Sequence, residues 1–241
     1  IMTEITYLDH SGFVVTLPDV IMVFDYYRDP AHALHKILEK KAELPVIFFV
    51  SHHHHDHYNT GIFEIAQNHE RTYVLSNDIL AEKVPSTLAV AGMSAGDILE
   101  NLPGGIKVKA YKSTDEGVSF LVTTADGTTI YHAGDFNDWH WQDESTEREA
   151  RVADELFKKI LNRIASENEK INIAMFPVDV RQGSDFARGA KLFLKAIKVD
   201  DFFPMHFGGD YKEACDFSEY AESPETTFHC LHKPGETVEL K

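Results

Sequence analysis

The most constraining feature of this chain is the apolar run Val46–Val50, which ends directly in Ser51-His52-His53-His54-His55-Asp56-His57. A short, β-branched and aromatic run bounded by polar residues reads as a buried strand, so the histidines occupy the loop that leaves it. Residues two apart point the same way as a chain leaves a strand, so His52 and His54 present their imidazoles to one point. Asp56 and His57 then turn away toward a second point nearby. Imidazole and carboxylate donors suit zinc first, with manganese or iron as alternatives. The run is internal and backed by a core strand, which argues against an affinity tag. A loop that was merely solvated would not need the His-x-His-x-Asp-His spacing.

The rest of the chain alternates short β-rich runs with helical patterns. Strands are expected at Glu4–Leu8, Phe13–Leu17, Val20–Asp25, Tyr73–Leu75, Ile106–Tyr111, Val118–Thr124 and Thr128–His132, with Asp126-Gly127 as a two-residue hairpin loop. Helices are expected at Ala31–Lys41, where Pro30 would open the first turn, and at Asn59–Gln67, Thr146–Ser166 and Ser184–Ile197. Late in the chain, Ile171–Phe176 and Asp200–Pro204 each run into a loop and then a helix. Many β-runs with helices that return to them predict an α/β protein of layered sheets covered by helices. No linker composition interrupts residues 1–241, so one domain is expected.

Composition narrows the function. Basic residues number 23 and acidic residues 39, a formal net charge of −16. Such a surface repels a phosphate backbone or an anionic membrane, which makes nucleic acid an unfavourable partner and leaves a small-molecule substrate. The apolar runs are too short to span a bilayer, and the N-terminal residues lack the basic and apolar regions of a secretory signal, so a cytoplasmic protein is expected. In that compartment the two cysteines, Cys215 and Cys230, read as reduced thiols. A homo-oligomer remains open.

The His52-x-His54-x-Asp56-His57 spacing at a strand exit resembles the signature of the metallo-β-lactamase superfamily. Further segments follow in the family's order: the strand ending at Asp25, then Tyr131-His132-Ala133-Gly134-Asp135, then Phe203-Pro204-Met205-His206. The pattern is most similar to the branch of ascorbate-6-phosphate lactonase and related hydrolases. The resemblance implies a four-layer αββα sandwich holding one or two divalent metal ions. His52 and His54 would belong to one metal site, Asp56, His57 and His206 to a second, and Asp135 would bridge them. It further implies hydrolysis of a small, anionic ester, lactone or phosphodiester by a metal-activated water. A nuclease of the same superfamily, or a degenerate non-catalytic binding module, are the alternatives. A di-iron redox role fits less well, since that branch places a glutamate where His54 stands.

One departure stands out. The stretch Ala110–Gly117 has no histidine where the family supplies a third imidazole to the first site. Asp115 is the expected substitute beside that site, and His140, between Trp139 and Trp141, is expected to line it. Otherwise the second site alone is filled. Arg181, in the loop Pro177–Gly183, is a candidate anion clamp with Asp179 as its partner; a structural Asp–Arg pair is the competing reading. His132, still within its strand, reads as a supporting residue. His10, His53 and His55 carry no assignment.

Overall fold

Strand β4 (Val46–Val50) buries every side chain, and its alternate residues enter two different cores. Ile47 and Phe49 face inward with Phe24 and Phe120, while Val46, Phe48 and Val50 face outward onto Leu34 and Leu38 of helix α1 (Ala33–Lys40). That is why the strand is apolar throughout rather than alternating: a parallel strand covered on both faces has no solvent side.

The computed structural model describes residues 2–79 and 83–241. Its first sheet has seven strands in the order β14 (Thr237–Leu240), β1 (Thr3–Asp9), β2 (Gly12–Thr16), β3 (Ile21–Phe24), β4, β5 (Arg71–Ser76) and β6 (Ala89–Met93). Its second sheet also has seven: β13 (Thr227–Phe228), β12 (Lys198–Met205), β11 (Lys170–Pro177), β10 (Thr129–His132), β9 (Val118–Thr123), β8 (Ile106–Lys112) and β7 (Ile98–Leu102). Phe49 meets Phe120 edge-on across the space between the sheets, with ring centroids 5.4 Å apart. On the far side of the second sheet, helix α2 (Glu147–Glu167) buries Phe157, Ile160, Leu161 and Ile164 at three- and four-residue spacing, and Phe157 stacks on Phe136. Helix α3 (Arg188–Ala196) adds Phe193 against Tyr131 and Phe176. The layers are therefore helix, sheet, sheet, helix, the expected αββα sandwich.

Helix α2 begins at a reciprocal cap: the Thr146 hydroxyl accepts from the Glu149 N–H, and the Glu149 carboxylate accepts from the Thr146 N–H. Two helix starts differ from expectation. Pro30 does not open α1. The helix begins at Ala33, and the Asp29 carboxylate caps it by accepting from the N–H groups of Ala33 and Leu34. Asn59–Gln67 is not an α-helix but a single 3₁₀ turn, Thr60–Phe63. The carbonyls a helix would need are taken instead: that of Ile62 accepts from the Tyr73 hydroxyl, and those of Phe63 and Ile65 accept from Arg71.

Cys215, in helix α4 (Tyr211–Asp216), is joined to Cys230 by a disulfide with a Cα–Cα separation of 4.9 Å. This corrects the expectation of two reduced thiols. The residue spacing says nothing of it; the pair meets only because the chain after β13 runs back beside α4. Among the described residues no helix is long and apolar enough to cross a membrane.

The candidate metal centre

The functional side chains gather where strands of both sheets end. Strands β3 and β4 are parallel neighbours, as are β10, β11 and β12. Asp25, the histidine loop, Asp135, Asp179 and His206 thus leave strand ends on the same rim, where loops are free of ladder constraints. The turn between β1 and β2 adds His10. Three of these residues, His10 (φ 54°), Asp25 (φ 43°) and His206 (φ 61°), hold left-handed backbone conformations that disfavour a side chain. Such strain persists where surrounding contacts over-determine it, commonly at functional sites. Here one of those contacts joins two of the strained residues: the His206 N–H donates to the His10 carbonyl at 3.1 Å.

Asp135 lies at the middle of the cluster. Its Oδ1 is 2.9 Å from His57 Nε2 and 3.1 Å from His206 Nε2. Its Oδ2 is 3.1 Å from His52 Nε2 and 3.9 Å from His54 Nδ1. Asp56 Oδ2 lies 3.0 Å from His10 Nε2 and 3.9 Å from His57 Nε2. Two donor groups result: His52, His54 and Asp135 in one, and His10, Asp56, His57 and His206 in the other, with donor atoms within 4.8 Å of one another in each group. Nε2 of His10, His52, His57 and His206, and Oδ1 of Asp135, are buried without a hydrogen-bond partner among the described residues. Orphaned buried donors are costly unless something satisfies them, and nitrogen and oxygen atoms converging from several sides are what a divalent cation requires. The residues present fit such an ion.

The opposite ring nitrogens are fixed from behind. His57 Nδ1 lies 2.7 Å from Asp25 Oδ2, His206 Nδ1 lies 2.8 Å from Asp179 Oδ2, and His52 Nδ1 lies 2.8 Å from Ser51 Oγ. Asp25 also accepts from the Ser51 N–H and hydroxyl, so one buried carboxylate sets the entry of the whole histidine loop. Outer partners of this kind fix tautomer and ring orientation and raise ligand basicity.

Charges in the cluster reinforce one another. Burial alone would disfavour every ionised form, but the contacts outweigh it. Asp135 is held well below the usual carboxylate range by the His57 charge and by His206 and His52. Asp56 is likewise held down by His10 and His57. His57 is pushed up to about 10 by Asp135 and Asp25, and His206 is raised by Asp135 and Asp179. His10 moves the other way, because burial dominates and lowers it.

All six residues expected to hold metal, His52, His54, Asp56, His57, Asp135 and His206, are brought together. Asp115 and His140 are not brought into the cluster. Asp115 is exposed, with its N–H on Ser113 Oγ, and it is the neighbouring Glu116, also exposed, that reaches the histidine loop: its Oε2 is 3.5 Å from His54 Nε2 and 2.9 Å from His53 Nδ1. His140 is buried with Nε2 3.0 Å from the Asp185 carbonyl, and it is Trp139 that reaches the centre, donating to the Asp135 carbonyl and lying 5.3 Å from the His206 ring. Arg181 grips Asp179 through Nε and Nη2 while its side chain stays 62% exposed. The Asp–Arg pair that shapes the loop is thus present. His132 is a supporting residue, stacked on Phe24 with Nε2 at 2.8 Å from the Ser11 carbonyl. Sequence reasoning missed His10 and Glu116. A lone histidine in a strand turn carries no spacing pattern, although its place between two apolar strands was visible.

A model of the beta-lactamase superfamily domain matches residues 4–153. The chain belongs to that superfamily. The match ends before Asp179 and His206, so the last part of this beta-lactamase-superfamily site rests on the geometry above. Among curated relatives, a UPF0173 metal-dependent hydrolase of Thermococcus kodakarensis is 26% identical over 99% of this chain and 100% of its own length. One of Opitutus terrae, of the same designation, is 26% identical over 98% and 100%. Among solved structures, the metallo hydrolase Igni18 of Ignicoccus hospitalis superposes with a TM-score of 0.70 at 18% identity, covering 100% of this chain and 99% of that one. YhfI of Bacillus subtilis, a metallo-beta-lactamase fold protein, gives 0.64 at 14% identity, covering 99% of each. At such identities the structural likeness establishes the fold alone.

Proposed function

We propose that this protein is a metal-dependent hydrolase of a small, anionic ester, lactone or phosphodiester. The single observation that carries this reading is the division of the Asp135 carboxylate, with one oxygen facing His52 and His54 and the other facing His57 and His206. A side chain so placed would hold a cation on either side, through one oxygen each. When bound, a divalent ion, zinc first and manganese or iron as alternatives, lowers the pKa of a water to about 7 and polarises a carbonyl or phosphoryl oxygen.

The remaining work falls to the chain. Asp56, ionised and half-buried beside His10 and His57, would accept a hydrogen bond from the attacking water and orient it. Asp25, Asp179 and Ser51 keep the imidazoles from rotating. Arg181 is restrained by Asp179 yet exposed, which suits it to pair with a substrate anion. A largely apolar groove lined by Trp139, Thr114, Val152 and Leu156, with Arg148 and Glu149 at its side, shares Trp139 with the centre and offers a place for the rest of the substrate. The net charge of −16 speaks against a nuclease.

Hydrolysis of bis-p-nitrophenyl phosphate and of a lactone panel, with zinc or manganese supplied, tests the reading. Turnover by the wild type and its loss in His57→Ala are expected. Metal-loaded protein inert toward both substrate classes would remove the support for it.

A further inference from the structure

We infer that His10 is a metal ligand, and that it makes the half of the centre built from His10, Asp56, His57 and His206 the one that fills first. The inference rests on the metal-centre reading above and adds a donor and an order of occupancy to it.

The two halves are unequal. The half containing His52 and His54 has two imidazoles and a share of Asp135, with the exposed Glu116 3.5 Å from the far nitrogen of His54. Its His54 is partly exposed, and His54 Nδ1 stands 3.9 Å from Asp135 Oδ2, the loosest contact Asp135 makes with the four histidines around it. The other half has three imidazole nitrogens, Asp56 and Oδ1 of Asp135. Donors about 2.1 Å from one ion lie about 3.0 Å apart when adjacent in an octahedron and about 3.4 Å apart in a tetrahedron. Three of the observed separations fall near the first value: 3.0 Å for His10 to Asp56, 2.9 Å for His57 to Asp135 and 3.1 Å for His206 to Asp135, while His57 to Asp56 is longer at 3.9 Å.

His10 Nε2 is buried, yet its contact with Asp56 lacks hydrogen-bond geometry. The two atoms sit side by side like co-ligands rather than donor to acceptor. The backbone agrees with a placed residue. His10 occupies a left-handed conformation at the β1–β2 turn, its carbonyl accepts from His206, and the two rings lie 4.1 Å apart. A residue needed only to close the turn would be better served by glycine or asparagine. Three imidazoles and two carboxylates on one ion make a site that does not need the third histidine missing from the other half.

The test is a calorimetric titration of the metal-free protein with zinc, joined to zinc X-ray absorption at one equivalent. Wild type is expected to take the first equivalent tightly, with three imidazoles per zinc. His10→Gln retains a side chain able to hydrogen-bond Asp56 but has no imidazole. It is expected to weaken the first equivalent by about 100-fold or more, since even outer partners of ligands cost 10–100-fold, and to show two imidazoles. His52→Ala is expected to keep the tight first equivalent. Circular dichroism checks that each variant is folded, and His10→Asn, suited to the left-handed turn, replaces His10→Gln if the latter misfolds. Unchanged affinity and imidazole count in the His10 variant, or loss of the first equivalent in His52→Ala, overturns the inference. Metal-dependent hydrolysis surviving beside that result would leave the proposed function standing. A wild type that binds no zinc overturns both.

Discussion

Asp25 Oδ2 lies 2.7 Å from His57 Nδ1, inside a core where both side chains are fully buried. The same carboxylate holds the N–H and hydroxyl of Ser51, whose oxygen reaches His52. Asp25 touches neither Asp135 nor Asp56, yet it aims one histidine from each half of the centre. Asp25→Ala should therefore strip partners from buried groups, costing about 3–5 kcal/mol of stability and 10–100-fold in metal affinity. Chemical denaturation and zinc titration measure the two losses; a variant as stable as wild type would contradict the assignment.

Gly117 and Gly134 have φ of 72° and 56°, and a Cβ at either would collide with Ser51. At Gly117 it would land on the Ser51 carbonyl oxygen, which accepts from Val118 where the β8–β9 hairpin is pinned to the histidine loop. Gly117→Ala should lose about 3–5 kcal/mol and release His54 and Glu116 from their mutual contact. Comparing its melting temperature with that of Gly127→Ala, whose Cβ would meet nothing, separates collision from backbone strain. Equal losses would contradict the collision.

These two relationships show what was legible in the sequence. The histidine loop, Asp135 and His206 could be placed because each directly follows an apolar strand, and strand exits are readable as the end of a pattern. The sandwich followed from strands such as Val46–Val50 that have no polar face. What escaped depends on meetings between distant segments. His10 meets Asp56 across the rim, and Glu116 rather than Asp115 reaches His54 where Gly117 lets the hairpin close on Ser51. Edge strands β6 and β7 are largely exposed and carry no burial pattern. The Cys215–Cys230 pair depends on the return of the chain beside α4.

Metal binding should release protons. In the metal-free molecule burial works against charge on His57 and His206, but Asp135 with Asp25 and Asp179 outweighs it, taking His57 up to about 10 and raising His206. His57 therefore carries a proton near neutral pH that a cation must displace, so apparent affinity rises with pH, about tenfold per unit for each proton displaced. Zinc titration at pH 7 in buffers of different ionisation enthalpy should show release of at least one proton per ion. No release would contradict the protonation pattern.

Asp138 supplies an acid-side test of stability away from the centre. It is buried beside Asp154 and Arg188; burial first, and then the Asp154 carboxylate, push it up to about 7. Its folded-state pKa thus exceeds the unfolded value of about 3.9. Its contribution is therefore fully present below about pH 4 and is lost as pH rises through 7. Asp138→Asn stays neutral throughout, so its melting temperature should gain on that of wild type between pH 4 and pH 8. A difference that stays flat over this range would contradict the shift.

The disulfide closes a loop with a sequence separation of 15 between α4 and the returning chain. A loop of that size contributes about 3 kcal/mol. Replacing both Cys215 and Cys230 by serine should lower stability by about that amount, read from denaturant unfolding. Because no metal-centre residue is touched, zinc affinity should be unchanged; a parallel fall in affinity would contradict the separation of the two features.

If His52, His54, Asp56, His57, Asp135 and His206 form one metal centre that performs hydrolysis, activity must follow the metal. Turnover of bis-p-nitrophenyl phosphate and the lactone panel is measured for protein stripped with a chelator and then reconstituted with zinc or manganese, alongside Asp135→Ala. Activity should disappear on stripping, return with metal in the wild type, and fail to return in Asp135→Ala. Hydrolysis that persists undiminished after complete metal removal would contradict that dependence.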